Sequence, residues 1–112
     1  FFSLPAIPAP RVDRTLFDNE EITIGNEVIR IIHTPGHSPG SVCFLIDNAV
    51  FVGDTLFAGS IGRTDLYGGS YTKIINSIKT RLFTLDDHVV VYPGHGDFST
   101  IGEEKEHNPF FQ

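Results

Sequence analysis

The chain has 112 residues, one domain's worth or less, and 40% of them are hydrophobic, with ten Phe and no Trp or Met. Fourteen acidic against eight basic residues leave a net charge of −6, which argues against a nucleic-acid surface, because phosphate binding wants clustered Lys and Arg. A single cysteine permits no internal disulfide and points to a reducing, cytoplasmic setting, and no apolar run approaches the length of a membrane span.

Residues 1–17, with Pro5, Pro8 and Pro10, are expected to form an extended connector, since closely spaced prolines suit neither helix nor central strand. Glu20 to Ile24 then alternates polar and apolar, as a half-buried strand does. Gly25-Asn26 is a hairpin signal, and residues 27–33 return. Runs at 41–46 and 49–53, joined by Asp47-Asn48, extend an antiparallel series. Residues 56–69 carry Gly59, Gly62, Gly68 and Gly69 and read as a loop with little regular structure; loops this long in compact domains are often functional.

Ser70 to Phe83 reads as the main helix. Ser70 is its N-cap, Ile74, Ile75, Ile78 and Leu82 form one apolar face, and Lys73, Lys79 and Arg81 form its solvated face. A strand is expected over 88–92. Thr100 with Glu103 is a capping box for a short terminal helix, Ile101 to His107, which Asn108-Pro109 ends. Glu103, Glu104 and Glu106 are read as a solvated acidic face of that helix.

Three β-like runs end in glycine and deliver a ligand-type side chain at once. Val28 to Ile32 breaks at Thr34-Pro35-Gly36 and delivers His37; Ala49 to Val52 breaks at Gly53 and delivers Asp54; the 88–92 run breaks at Pro93-Gly94 and delivers His95. Residues just past strand ends sit at a rim, where loops converge on a rigid scaffold. Two imidazoles and a carboxylate suit zinc, and also iron or manganese. A carboxylate has two oxygens and can bridge two metals; an imidazole nitrogen cannot. Cys43, mid-strand, is read as a small buried hydrophobe rather than a ligand or nucleophile. Tyr67 either lines the cleft or caps the loop. His33, His88 and His107 are read as structural or surface residues, with His33 near enough to His37 to act as an outer donor.

The runs H-T-P-G-H-S-P-G-S (33–41), F-V-G-D-T-L-F (51–57), G-R-T-D (62–65) and Y-P-G-H-G (92–96) resemble successive motifs of the metallo-β-lactamase superfamily, in its type II glyoxalase (hydroxyacylglutathione hydrolase) branch. The resemblance runs from about Asp18 to Phe110. It implies that His37 is the third histidine of a first metal site, Asp54 the bridging aspartate and His95 the last histidine of a second site, with two zinc ions in the complete pocket. It gives Arg63 the position of a basic residue facing a glutathione carboxylate, although a structural ion pair with Asp65 is an equal reading. Asp65 and Asp97 stand where eukaryotic relatives carry tyrosines, a departure from the glutathione pattern.

The family's H-x-H-x-D-H motif, which supplies the remaining ligands, is absent from these 112 residues. The resemblance therefore implies an α/β fold that is the C-terminal half of a four-layer αββα sandwich, a mainly antiparallel sheet with one long and one short terminal helix. Its partner is then the N-terminal half of the same fold. The implied activity is metal-assisted hydrolysis of a small-molecule thioester, possibly glutathione-linked. Two alternatives stand beside it: a mono-iron persulfide dioxygenase, which also carries G-R-T-D but has alanine where this chain has Gly94, and a non-catalytic half-domain.

Overall fold

The computed structural model describes residues 17–66 and 68–112; the connector expected over 1–17 lies outside them except for Phe17. A six-stranded sheet runs β1 (Glu21–Ile24), β2 (Glu27–His33), β3 (Val42–Ile46), β4 (Ala49–Gly53), β7 (Val90–Pro93), β8 (Ser99–Thr100). All neighbours are antiparallel except β4 and β7, which run parallel. The crossover between that pair holds a small β5 (Leu56–Phe57)–β6 (Ser60–Ile61) hairpin and the main helix, and a short terminal helix follows β8.

The turn chemistry follows the sequence. Gly25 takes φ +62° between β1 and β2, and Asp47 takes φ +52° between β3 and β4, a conformation that short polar side chains tolerate. The loop expected over 56–69 is not wholly irregular: Leu56 pairs with Ile61 and Phe57 with Ser60. Alternation over two residues a side is too short to be read as strand.

The helix expected over 70–83 is present but wound in two ways. α1 (Tyr71–Ser77) starts at Ser70, whose hydroxyl accepts from the Lys73 N–H at 3.2 Å. Ile78–Leu82 continues it as a π-helical turn, closed by the Phe83 N–H donating to the Ile78 carbonyl at 2.8 Å. Thr80 donates its hydroxyl to the Asn76 carbonyl at 2.8 Å, and such back-bonding competes with the regular i→i−4 ladder. Arg81 is not merely solvated: its Nη2 donates to Asp18 at 2.6 Å and to Asn19 at 2.9 Å, tying the helix end to the start of the sheet.

Ile74, Ile78 and Leu82 bury completely against Ile32, Cys43, Val50, Val52 and Val91, and Ile101 of α2 (Ile101–His107) joins the same core. Thr100 caps α2, accepting from the Glu103 N–H at 3.2 Å. Its acidic face is not uniformly solvated, because Glu104 is buried. On the opposite face of the sheet, Ile31, Phe44, Phe51 and Tyr92 lie directly opposite one another across four strands. The rings of Phe51 and Tyr92 stack 5.2 Å apart.

Candidate metal centre

Three strand ends meet at one rim, and each arrives by backbone packing. Past β2, Gly36 lies so close to α1 that a Cβ would sit 2.3 Å from the Ile74 backbone. The Gly36 carbonyl accepts from the Ser70 N–H at 2.7 Å, and Ser77 donates its hydroxyl to the Pro35 carbonyl at 2.7 Å. Any side chain at 36 would push the loop off the helix. Past β4, Gly53 turns with φ +54° and presents Asp54, whose carbonyl is pressed by Gly62, where a Cβ would overlap it. Past β7, the Gly94 N–H donates to the Gly53 carbonyl at 2.8 Å, which sets His95 beside Asp54.

The three side chains converge. His37 Nε2 lies 3.8 Å from Asp54 Oδ2, and His95 Nε2 lies 3.7 Å from Asp54 Oδ1. Each histidine therefore faces its own carboxylate oxygen. Both spacings exceed hydrogen-bonding distance and approach the roughly 3.3 Å edge of a tetrahedron with metal–ligand bonds of about 2.0–2.1 Å. Among the described residues, no three His, Cys, Asp or Glu side chains are arranged around a single ion. The arrangement sets one imidazole against each oxygen of a single carboxylate.

His37 Nδ1 donates to the Arg63 carbonyl at 2.8 Å. Donation there leaves Nε2 as the ring nitrogen that faces Asp54. An outer partner of His37 is therefore this backbone carbonyl. No sequence signal marks it, because any residue at 63 has a carbonyl. Arg63 also lines an open cleft of about 270 Å³ with His37, Asp54, Phe57 and His95. Its guanidinium meanwhile grips Asp65 at 2.8 and 3.1 Å. Both readings of Arg63 thus have a place: it borders the cleft, and it is paired. The same contact holds the Asp65 carboxyl below the usual carboxylate range. Tyr67 lies outside the described residues.

Phe57 was not singled out by sequence, yet its ring stacks on the His95 imidazole, centroids 4.8 Å apart. Beneath the rim, Thr34 contacts Cys43 Sγ at 3.3 Å and Thr55 at 3.4 Å, all three buried. Burial pushes the Cys43 thiol up to about 12, with the Thr34 and Thr55 hydroxyls opposing the shift. At neutral pH it is a protonated thiol, unsuited to ligation or attack. His88 sits away from the rim, 3.3 Å from Asn48, and His107 lies beside Glu106 on α2.

The sequence profile of the Metallo-beta-lactamase superfamily matches residues 2–95. The chain belongs to the metallo-β-lactamase superfamily. Hydroxyacylglutathione hydrolase GloC of Haemophilus influenzae is 43% identical over 112 residues, covering 97% of this chain and 53% of that protein. Among solved structures, the BLEG-1 B3 metallo-β-lactamase superposes with a TM-score of 0.87 at 43% identity, over 93% of this chain and 51% of that one. ETHE1 from Myxococcus xanthus superposes at 0.81 with 38% identity, over 84% and 44% of the two chains. The sheet and helices match a half-domain of the metallo-β-lactamase fold, and the chain spans about half the length of the curated relatives it matches. The superfamily consists generally of hydrolytic metalloenzymes. No described helix is long and apolar enough to cross a membrane.

Proposed function

We propose that the chain supplies one half of a two-metal hydrolytic pocket, and that the complete protein hydrolyses thioesters in the manner of hydroxyacylglutathione hydrolases. One observation carries the reading: Asp54 turns one oxygen to each of two histidines, at 3.8 and 3.7 Å, as a carboxylate bridging two cations does. The similarity to GloC supports a thioester of glutathione type.

The donor set fits zinc, with iron or manganese as alternatives. His37 and one oxygen of Asp54 would hold one ion, and His95 and the other oxygen the second. Bound there, divalent cations supply a water of lowered pKa and polarise an acyl oxygen. The chain's own groups prepare that chemistry. The Arg63 carbonyl holds His37 through Nδ1, so the ring turns Nε2 toward Asp54. Asp54 is held open between the histidines by the Gly53 turn and the Gly94–Gly53 backbone bond. Arg63, at the cleft wall and paired with Asp65, would meet a substrate carboxylate by exchanging Asp65 for it. The protonated Cys43 beneath offers no competing nucleophile.

Two donors per ion are too few for tight binding. The 112-residue chain alone should hold metal weakly and turn over little thioester. A longer protein carrying an N-terminal half with H-x-H-x-D-H should bind two ions and hydrolyse S-lactoylglutathione. Metal stoichiometry and hydrolysis, measured on both, test this. Two tightly held ions and full turnover from this segment alone would overturn it. The dioxygenase alternative is disfavoured by Gly94, and oxygen uptake with glutathione persulfide would revive it.

A further inference from the structure

Glu104 is 4% exposed, although Glu103 and Glu106 on the same helix face solvent. A carboxylate leaves water at a cost unless donors replace the hydration. Here Oε1 accepts the Gly59 N–H at 3.0 Å and the Asn108 Nδ2 at 2.9 Å. Asn108 is itself 1% exposed. Its Nδ2 also donates to the Ser60 carbonyl at 3.0 Å, and its Oδ1 accepts the Phe110 N–H at 3.0 Å. Gly59 lies in the tip of the β5–β6 hairpin and Ser60 opens β6, while the base is already fixed by Leu56 in the core. Apolar contact would hold the tip down but leave its rotation free; two directional bonds, from the Gly59 N–H to Glu104 and from Asn108 to the Ser60 carbonyl, set it, and the Asn108–Glu104 bond braces the pair. Phe57 pairs with Ser60 across this hairpin, and its ring stacks on His95. The His95 side chain is otherwise 78% exposed.

We propose that Glu104 and Asn108 are positioning residues for His95, acting through the hairpin tip and the Phe57 ring. The importance of this for metal binding rests on the reading of His95 as a ligand; the positioning itself does not. It works at a distance from the cleft, because neither side chain lines it. Its effect is one-sided. His37 is fixed by the Arg63 carbonyl and should not respond.

The test is NMR of the histidine ring protons in the complete, metal-free protein, followed by metal titration. In the unaltered protein, the His95 ring protons should be shifted upfield by the Phe57 ring. Phe57→Leu removes that shift directly and gives the reference. Asn108→Ala should remove it as well, with the His37 resonances unchanged, and should weaken one of two metal-binding steps about tenfold, as loss of an outer partner does. Glu104→Gln keeps an acceptor oxygen for the same donors and should retain the shift. If Asn108→Ala does not fold, Asn108→Ser, which fills part of the void, carries the same measurement. A folded Asn108 variant whose His95 protons stay shifted overturns the proposal. A lost shift with no metal bound by any version leaves the positioning intact and refutes the metal-centre reading instead.

Discussion

His37 and His95 reach the same carboxylate by different means. His37 is clamped: its loop lies on α1 with no room for a Cβ at Gly36, and its Nδ1 is bound by a backbone carbonyl. His95 hangs from a short turn, largely exposed, with an aromatic ring as its chief partner. The first side is fixed by the same packing that stabilises the fold, whereas the second can move without disturbing the core. Damage to the first should therefore appear as lost stability, and damage to the second as lost metal affinity in a protein that remains folded.

The largest effect should come from the group both sides share. Asp54→Asn leaves size nearly unchanged but removes the charge and one acceptor oxygen. In the complete protein it should lower thioester hydrolysis on the order of 10²–10³-fold, and elemental analysis should show fewer than two ions. Gly36→Ala comes next and acts on the His37 side. Its Cβ would meet the Ile74 backbone, so denaturant midpoints should fall by an amount equal to about 3 kcal/mol.

Gly94→Ala is the counterpart on the His95 side. A Cβ there would sit 3.3 Å from Asp54 Oδ1, a contact the carboxylate relieves by shifting a few tenths of an ångström. Stability should change by no more than about 0.5 kcal/mol, while competition titration should show one metal step about tenfold weaker. Equal losses of stability from the two glycine variants would erase the distinction between the sides.

The smallest effect concerns the floor they share. The Cys43 thiol is raised from 9.0 to about 12 in the folded state. Its contribution to stability is therefore fully present below pH 9 and is lost as pH rises toward 12. At pH 9.5 the loss should be on the order of 1 kcal/mol relative to pH 7. Urea midpoints of the protein and of Cys43→Ala, compared across that range, isolate it.

Much of this was legible in the chain itself. Apolar runs ending at Gly36, Gly53 and Gly94 placed His37, Asp54 and His95 at strand ends, because sheet geometry turns a repeated local pattern into a shared rim. The motifs around them indicated the superfamily that the sequence profile matches. What escaped was whatever depends on contacts that only the folded chain makes. The carbonyl of Arg63 behind His37, the burial of Glu104, and Phe57 over His95 leave no local pattern. Glu104 in particular has the same flanking sequence a solvated residue would have, and only the arrival of Gly59 and Asn108 makes it a buried acceptor. The π-wound turn was hidden similarly, since its apolar spacing is ordinary and Thr80 merely redirects a bond.

Anomalous X-ray scattering from crystals of the complete protein, grown with zinc, probes the shared carboxylate most directly. Two peaks roughly 3.5–4 Å apart, each bonded to a different oxygen of Asp54 and one to each of His37 and His95, are the predicted result. Zinc found elsewhere, or bound at this rim without Asp54, would contradict the account.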